Sequence, residues 1–472
     1  MGTISSAFST VSSGLQADQE ALNIVSNNVA NANTTGYTRE VANFHENDTV
    51  QFGNYSYGTG ATVTGATSER DKILNERLDQ QQQLESASST RLSSLNTVET
   101  LFSVTTSSSS SSGDIGTNLT SFFNTFTSLE SQPTSVSLRE SVISSAKTLA
   151  SNISGAATSL SDQQASIDQE ASGITSQVNA LTTSIAQLNQ EIMSSNSTGD
   201  AGTLEDKRQE AISQLSQLVG INQITTENNG LSITTTSGTL LVAGSSSYQL
   251  STGTVDGLTH FYSGTTDITS GLTSGGGELG GYLTVRDVDI PNVLSSLDQL
   301  AYSVSTKVNA LNNSGKTLNG TTGTASDPNY IFSEPTEVSG AAAAMSVVIS
   351  STSDIAAAGA NGSTGDDSNA VALADLGNQA IVAGQTPSNF YSAMVSALGS
   401  TISEVTTENT TLTASVTQLQ TQSNSLSSVS LDDEASSMET YERSYEAASK
   451  AFTILDSILS AALNLGEATA FS

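Results

Sequence analysis

The sequence contains no cysteine and only two histidines, and both shortages exclude classes of function. Without cysteine there is no disulfide bond, no thiolate metal ligand and no cysteine nucleophile. His45 and His260 belong to no cluster with metal-ligand spacing, so we expect both on the surface or in loops. The sequence therefore predicts no catalytic residue, no cofactor and no metal, and we do not expect an enzyme.

Positive charge is also scarce. The chain has 14 Lys and Arg residues against 46 Asp and Glu residues, a formal net charge of -32. Such a surface repels DNA, RNA and anionic membranes, so binding to nucleic acid is excluded. Only 13% of the residues are charged, which indicates a surface that is mostly uncharged and polar.

Long apolar runs are missing as well. No window of 18 apolar residues occurs, so we expect no insertion into a membrane. The first twenty residues have neither the basic start nor the apolar stretch of a cleaved secretory signal. If the protein works outside the cell, we expect a different export route to carry it.

Two acidic groups are candidate calcium sites, Asp366 with Asp367 and Asp432 with Asp433 and Glu434. Neither has the spacing of a dedicated calcium loop. The second group opens the last predicted helix, where carboxylates favour the positive end of the helix dipole. Both groups are therefore interpreted without a metal ion.

Each end of the chain carries an apolar seam with spacings of four and three residues, the pattern of a coiled coil. Asp18 occupies the one missing position of the first seam, which favours a wetter or larger assembly than a dry pair of helices. The predicted seam residues are Ile4, Phe8, Val11, Leu15, Leu22, Val25 and Val29 at the first end, and Met438, Tyr441, Tyr445, Phe452, Leu455 and Leu459 at the second.

Between the ends, four-three spacing over 153–192 predicts one helix of about 40 residues, roughly 60 Å long. Alternating β-branched residues with Gly and Asn turns over 221–285 predict an inserted antiparallel β domain. The fold class is therefore mainly α with inserted β, an elongated rod of several domains. We predict a terminal coiled-coil domain (1–40 with 431–472), a helical rod domain (41–220 with 286–430) and the β domain at the outer end.

Five stretches carry a resemblance to known proteins. ALNIVSNNVANANTTGYTR at 21–39 resembles the signature of flagellar rod, hook and hook-associated axial proteins. The stretches at 204–224, 238–244, 276–315 and 429–459 are similar to the FlgK family of hook-associated proteins. The matching residues of the first signature are Asn27, Asn28, Asn31, Asn33, Gly36, Tyr37 and Arg39.

The resemblance implies a structural subunit that forms a junction ring between flagellar hook and filament through its terminal helices. Implied partners are the hook protein, a second junction protein, further copies of the chain, and a cytoplasmic export chaperone on the last helix. The implied location is the extracellular flagellum, reached by type III export. The alternatives are another axial protein of hook, rod or filament type, and a secreted coiled-coil adhesin.

The residues of the first signature allow two interpretations. Gly36 could end the first helix in the left-handed region, and the asparagine amides could contact neighbouring subunits without charge. We expect both roles. Arg39 is a candidate to bind a carboxylate, whose position the sequence does not reveal.

Overall fold

The computed structural model describes residues 2–34, 36–52, 55–102, 114–195, 202–226 and 229–468. The α-helices are α1 (Gly2–Asn31), α2 (Lys72–Thr100), α3 (Ile115–Ser131), α4 (Val136–Ser195), α5 (Gly202–Leu218), α6 (Thr269–Thr273), α7 (Gly277–Thr284), α8 (Ile290–Ser314), α9 (Ser368–Asp375), α10 (Pro387–Ser427) and α11 (Leu431–Ala468). The strands are β1 (Glu40–Glu46), β2 (Val50–Phe52), β3 (Tyr55–Tyr57), β4 (Ala61–Ser68), β5 (Ile221–Thr225), β6 (Leu231–Thr235), β7 (Leu240–Ala243), β8 (Ser246–Ser247), β9 (Leu250–Val255), β10 (Leu258–Ser263) and β11 (Thr266–Asp267).

The terminal helices α1 and α11 pack against each other and run antiparallel. The rings of Phe8 and Phe452 are 4.3 Å apart near one end, and Asn28 bonds to Glu434 near the other. The antiparallel pair β1 and β4 packs beside α1, and β2 with β3 forms a short hairpin between those two strands. The predicted fold class, which includes the pairing of the two terminal helices, is confirmed.

The long helix predicted in the middle of the chain is longer than expected. Helix α4 is continuous for 60 residues, about 90 Å, because the segment after Pro133 joins the predicted seam without a break. Most seam positions are buried, including Ile153, Leu160, Val178 and Ile185. One apolar face of α4 therefore lies in the protein interior along most of its length.

Two hydrophobic cores form along α4. The larger one gathers side chains from α2, α3, the first half of α4, α8, α9 and α10, with Phe122, Phe126 and Phe332 at its centre. The smaller one joins the second half of α4 and α5 to the β strands through Ile233, Leu241 and Phe261. The same helix thus belongs to both cores and connects them.

The inserted β region contains a four-stranded sheet in the order β5-β6-β7-β8 and a three-stranded sheet in the order β11-β10-β9. All its pairs are antiparallel, as predicted. The strands end at Asp267 and are followed by the short helices α6 and α7, within the 221–285 range predicted as the β domain. Short helices α6 and α7 and a π-helical turn, Val285–Asp289, lead from the sheets into α8. The division into three domains stays a prediction.

A buried arginine attaches the β region to the rod. Arg286 is almost fully buried, and its guanidinium donates to Asp168 of α4 at 2.6 Å and to the Thr259 carbonyl of β10 at 2.7 Å. Asp168 in turn accepts from the Thr259 backbone N–H and hydroxyl. Charge-assisted hydrogen bonds of this kind have a defined geometry. They therefore fix the position of β10 relative to the second half of α4.

The serine-rich segment predicted to be a flexible connection falls on 103–113, which lies outside the described residues. In the part of the chain that is described, no helix combines the length and apolarity needed to cross a membrane.

Candidate functional site

The candidate site is the terminal helix pair together with the turn that follows α1. Of the seam residues predicted on α1, Val25 is buried, Val29 is 40% exposed, and the others are half-buried. On α11, Tyr445 is 39% exposed and the other predicted residues are half-buried. One chain therefore covers only part of the predicted interface.

The buried face of α1 is rotated from the predicted seam. Its fully covered residues are Ala17, Ala21, Val25 and Asn28, with Asp18 also buried. Ala17 and Ala21, four residues apart, allow the neighbouring backbone to approach closely. A search for large apolar residues does not detect small residues of this kind. The larger side chains Leu15, Leu22 and Val29 are left nearer the outer surface.

Asn28 is the centre of the turn after α1. Its Nδ2 donates to the Glu40 carbonyl at 2.8 Å and to Glu434 Oε2 at 3.0 Å. Its Oδ1 accepts from the Tyr37 hydroxyl at 2.8 Å and from the Glu40 N–H at 3.0 Å. With only 1% of its surface exposed, this amide fulfils all four of its hydrogen bonds inside one chain.

Arg39 binds the carboxylate of Glu434, which the sequence could not identify. Its Nε donates to Glu434 Oε1 at 2.6 Å, and its Nη1 donates to Glu69 Oε2 at 3.0 Å. Glu434 is 1% exposed, so its two oxygens face Arg39 and Asn28 in the interior. We call Asn28, Arg39 and Glu434 the terminal node; it joins the end of α1 and the start of β1 to the first turn of α11.

Tyr37 and Thr38 connect the terminal node to the rod. Burial, followed by the nearby carboxylates of Glu40, Asp206 and Glu434, raises the pKa of Tyr37 to about 12, so its phenol remains a donor at physiological pH. Thr38 donates to Asp206 of α5 through its N–H at 3.0 Å and its hydroxyl at 2.7 Å. Asp206 also pairs with Arg70, which lies just before α2.

The other predicted motif residues lie closer to solvent. Asn27 and Asn33 are exposed, and Asn31 is half-buried and donates to the Asn27 carbonyl and side chain. Gly36 has a φ of +77°, as predicted for a left-handed residue. It does not cap α1, because that helix already ends at Asn31; instead it lies in the turn where the Tyr37 N–H donates to the Thr34 carbonyl at 3.2 Å.

Among the histidines and the acidic groups, His260 and Asp366 have ordinary structural partners. His45 and His260 lie in strands, not loops, and His260 Nδ1 is 2.7 Å from Asp267 Oδ2. Asp366 accepts from the Gly359 N–H and the Ser368 hydroxyl. Among the described residues, no group of three or more His, Asp or Glu side chains is arranged to hold a metal ion.

We expect Thr38→Val to weaken the link between the turn and α5. The variant keeps the shape of the side chain but removes the hydroxyl that donates to a buried carboxylate. Hydrogen bonds to charged groups contribute about 1.5–3 kcal/mol, so the free energy of unfolding of the full chain in urea should fall by about that amount. Thr34→Val is the control, because the exposed Thr34 hydroxyl makes only a 3.3 Å contact with Asn31. Equal losses in the two variants would contradict the assigned role.

Comparisons with known proteins match both ends and the middle of the chain. Residues 95–326 match the flagellar hook-associated protein FlgK helical domain. Residues 8–38 match the flagella basal body rod protein family, and 420–465 match the C-terminal family of flagellar basal body rod FlgEFG proteins. The middle of the chain is therefore similar to the FlgK family, and its two ends are similar to other flagellar axial proteins. The two terminal matches contain most of α1 with its turn and most of α11, the same elements that meet at the terminal node.

Individual FlgK relatives show the same similarity. Flagellar hook-associated protein 1 of Escherichia coli K12 is 25% identical over 336 residues, which cover 68% of this chain. The chain spans 59% of the length of that relative and of its Salmonella typhimurium counterpart. The Bacillus subtilis 168 protein of the same name is 26% identical, with 96% of this chain and 97% of that protein covered.

A solved FlgK structure has the same fold. The flagellar hook junction protein FlgK from Burkholderia pseudomallei superposes with a TM-score of 0.64 at 18% sequence identity. The match covers 75% of this chain and the whole of that structure. The mainly helical architecture with inserted β strands is therefore the architecture of this family.

Proposed function

We propose that the protein is a structural subunit of the bacterial flagellum that forms the junction ring between hook and filament. The observation that carries the proposal is the antiparallel pairing of α1 with α11, fastened at a buried node and only partly covered. Side chains such as Val29 and Tyr445 remain available to neighbouring subunits. The match of the middle of the chain to the FlgK helical domain favours the junction over a hook, rod or filament role.

Specific partners follow from this position. The ring would contact the hook protein on one side and a second junction protein on the other, with further copies of the chain beside it. Before export, a cytoplasmic chaperone would cover α11, whose exposed apolar residues Ile454, Ile458 and Leu463 need protection in an unassembled chain. Export through the flagellar type III apparatus, without a cleaved signal, completes the proposal; no catalysis is part of it.

The proposal is tested in the source bacterium by deleting the gene and restoring either the full chain or a chain without residues 441–472. Cells without the gene should stop swimming and release flagellin into the medium, and the full chain should restore attached filaments. The shortened chain should fail to do so. Circular dichroism of the purified shortened chain checks that its rod helices remain folded. Normal filaments in cells without the gene would overturn the proposal.

A further inference from the structure

An apolar groove of about 580 Å³ lies between the first half of α1 and the β2–β3 hairpin. Its opposite wall includes Val50 and Tyr57, and its helical wall consists of Ser5, Ser6, Ala7, Ser9, Thr10 and Val11. Val50 and Tyr57 are each nearly half exposed. The hairpin residue Tyr55, 71% exposed, lies close by in sequence. The groove is therefore open and apolar in a chain whose surface is mostly polar.

The groove is a built feature of the fold. Gly60, with a φ of +96°, brings the chain against α1 so closely that a Cβ atom there would clash with the Ser13 hydroxyl and lie 3.1 Å from the Thr10 carbonyl. The Ser13 hydroxyl also approaches the Thr59 carbonyl at 3.4 Å. These contacts hold the segment that follows the hairpin against α1, so the hairpin and the helix form two fixed walls.

A second apolar surface lies on the outer side of α11. Ala447, Ala451, Ile454 and Ile458 follow each other at spacings of four, three and four residues and so share one helix face. At 100° per residue, Ile454 and Ile458 lie roughly 120–160° around the helix axis from Phe452, which packs on α1. Ile454 is 60% and Ile458 is 48% exposed. We call these four residues the outer stripe.

Charge restricts what can cover these two surfaces. In a chain with a net charge of -32, contacts between copies are repulsive unless the contacting surfaces carry no charge. The stretch Gly2–Ala17 contains no charged residue, and Ala447–Leu463, which includes the outer stripe, contains only Lys450 and Asp456. The groove and the outer stripe are thus surfaces that two copies can bring together without burying a carboxylate.

We propose that the outer stripe of one copy docks into the groove of a second copy. The outer stripe faces away from its own α1, so a chain cannot fill its own groove with it. The two surfaces are different, which makes the contact heterologous and able to repeat around a closed ring. The inference rests on the proposed ring and names the surfaces that would join its subunits.

The absence of cysteine allows a direct test by disulfide trapping. Ser9→Cys, in the groove wall, and Ile458→Cys, in the outer stripe, are produced as separate chains and expressed together in cells that lack the natural gene. After mild oxidation of isolated hook-filament structures, a disulfide-linked dimer should be at least ten-fold more abundant than with either variant alone. Gln16→Cys combined with Ile458→Cys is the matched control, because Gln16 is exposed on the same helix outside the groove.

A charge pair provides a second measurement. Ser9→Glu places a carboxylate in the groove and should reduce the fraction of cells with attached filaments at least five-fold, whereas Gln16→Glu should not. Adding Ile458→Lys to Ser9→Glu should restore attachment, since the two new charges attract each other in the proposed contact.

Two outcomes would overturn the inference and leave the junction role intact. In the first, cells carrying the cysteine variants swim normally but the mixed dimer stays at the level of the Gln16 control. In the second, Ser9→Cys is trapped instead by a cysteine introduced into the hook protein or the second junction protein, which assigns the groove to that neighbour. Failure of the junction role would be recognised separately, by normal filaments in cells without the gene.

Discussion

Replacing Glu434 with alanine should release the start of α11 from the rest of the protein. The variant removes the buried partner of Arg39 Nε and one acceptor of the Asn28 amide. Removing one member of a buried ion pair costs about 3–5 kcal/mol, but Arg39 is partly exposed and keeps Glu69, so we expect about 2–3 kcal/mol. Amide hydrogen exchange over the first turns of α11 should therefore become about 30- to 150-fold faster.

Two further variants separate this effect from a general loss of helix stability. Glu442→Ala, at an exposed position of the same helix, should leave exchange nearly unchanged. Glu434→Gln keeps an acceptor for Asn28 but loses the charge that attracts Arg39, so its effect should be intermediate. If Glu434→Ala exchanged no faster than Glu442→Ala, the terminal node would not be what fastens the helix pair.

Replacing Asp79 with asparagine should stabilise the protein at neutral and higher pH. Asp79 lies on α2 with 2% of its surface exposed, and its Oδ2 accepts from Gln209 of α5 and Gln223 of β5, each at 2.8 Å. Burial raises the pKa of this carboxyl from 3.8 to about 7, although the two amide donors act in the opposite direction. The folded protein therefore keeps a proton on Asp79 that the unfolded chain loses near pH 4.

The sign of the pH dependence follows from that difference. Between about pH 4 and pH 7 the folded state binds more protons than the unfolded state, so the free energy of unfolding falls as the pH rises and levels off above pH 7. A pKa moved from 3.8 to about 7 corresponds to about 4 kcal/mol at the upper end. Asparagine resembles the neutral acid and can still accept from both glutamines through its Oδ1, so we expect a gain of about 2–4 kcal/mol at pH 8.

The measurement is urea unfolding of the full chain at pH 5 and pH 8, followed by circular dichroism. Asp79→Asn should be more stable than the natural chain at pH 8, and its gain at pH 5 should be less than about half as large. Glu99→Gln, at an exposed position of the same helix, is the control and should change stability by less than about 0.5 kcal/mol at either pH. A less stable Asp79→Asn variant at pH 8 would mean that the ionised carboxylate stabilises the fold.

Much of the fold could be predicted because the residues that a helix buries recur at regular spacings in the sequence. The seam of α4 and the helices at both chain ends follow from residues that repeat every three or four positions. The β region could be located in the same way, from alternating β-branched residues and turn residues. The helix Gly277–Thr284 has no such signal, because it is short and rich in glycine and its structure depends on packing against α2 and α4.

The candidate site could be predicted only in part. Spacing identified the large apolar residues of α1, but the face that packs on the rest of the chain is formed by Ala17 and Ala21, whose small size is what permits the close approach. The asparagines of the first signature were recognised as a group. Which of them is buried was not predictable, because burial depends on β1, the turn and α11 together.

By itself, the sequence determined the helical and β segments, the apolar seams at both ends, and the absence of any cysteine chemistry. Only the tertiary structure decided that Arg39 binds a carboxylate 395 positions away, that Asp79 is buried between two glutamines, and that Ile454 and Ile458 of the outer stripe are exposed. The physical reason is the distance along the chain over which each effect acts. Backbone propensity and periodicity act over a few residues, whereas burial and ion pairing depend on which distant segments the fold brings together.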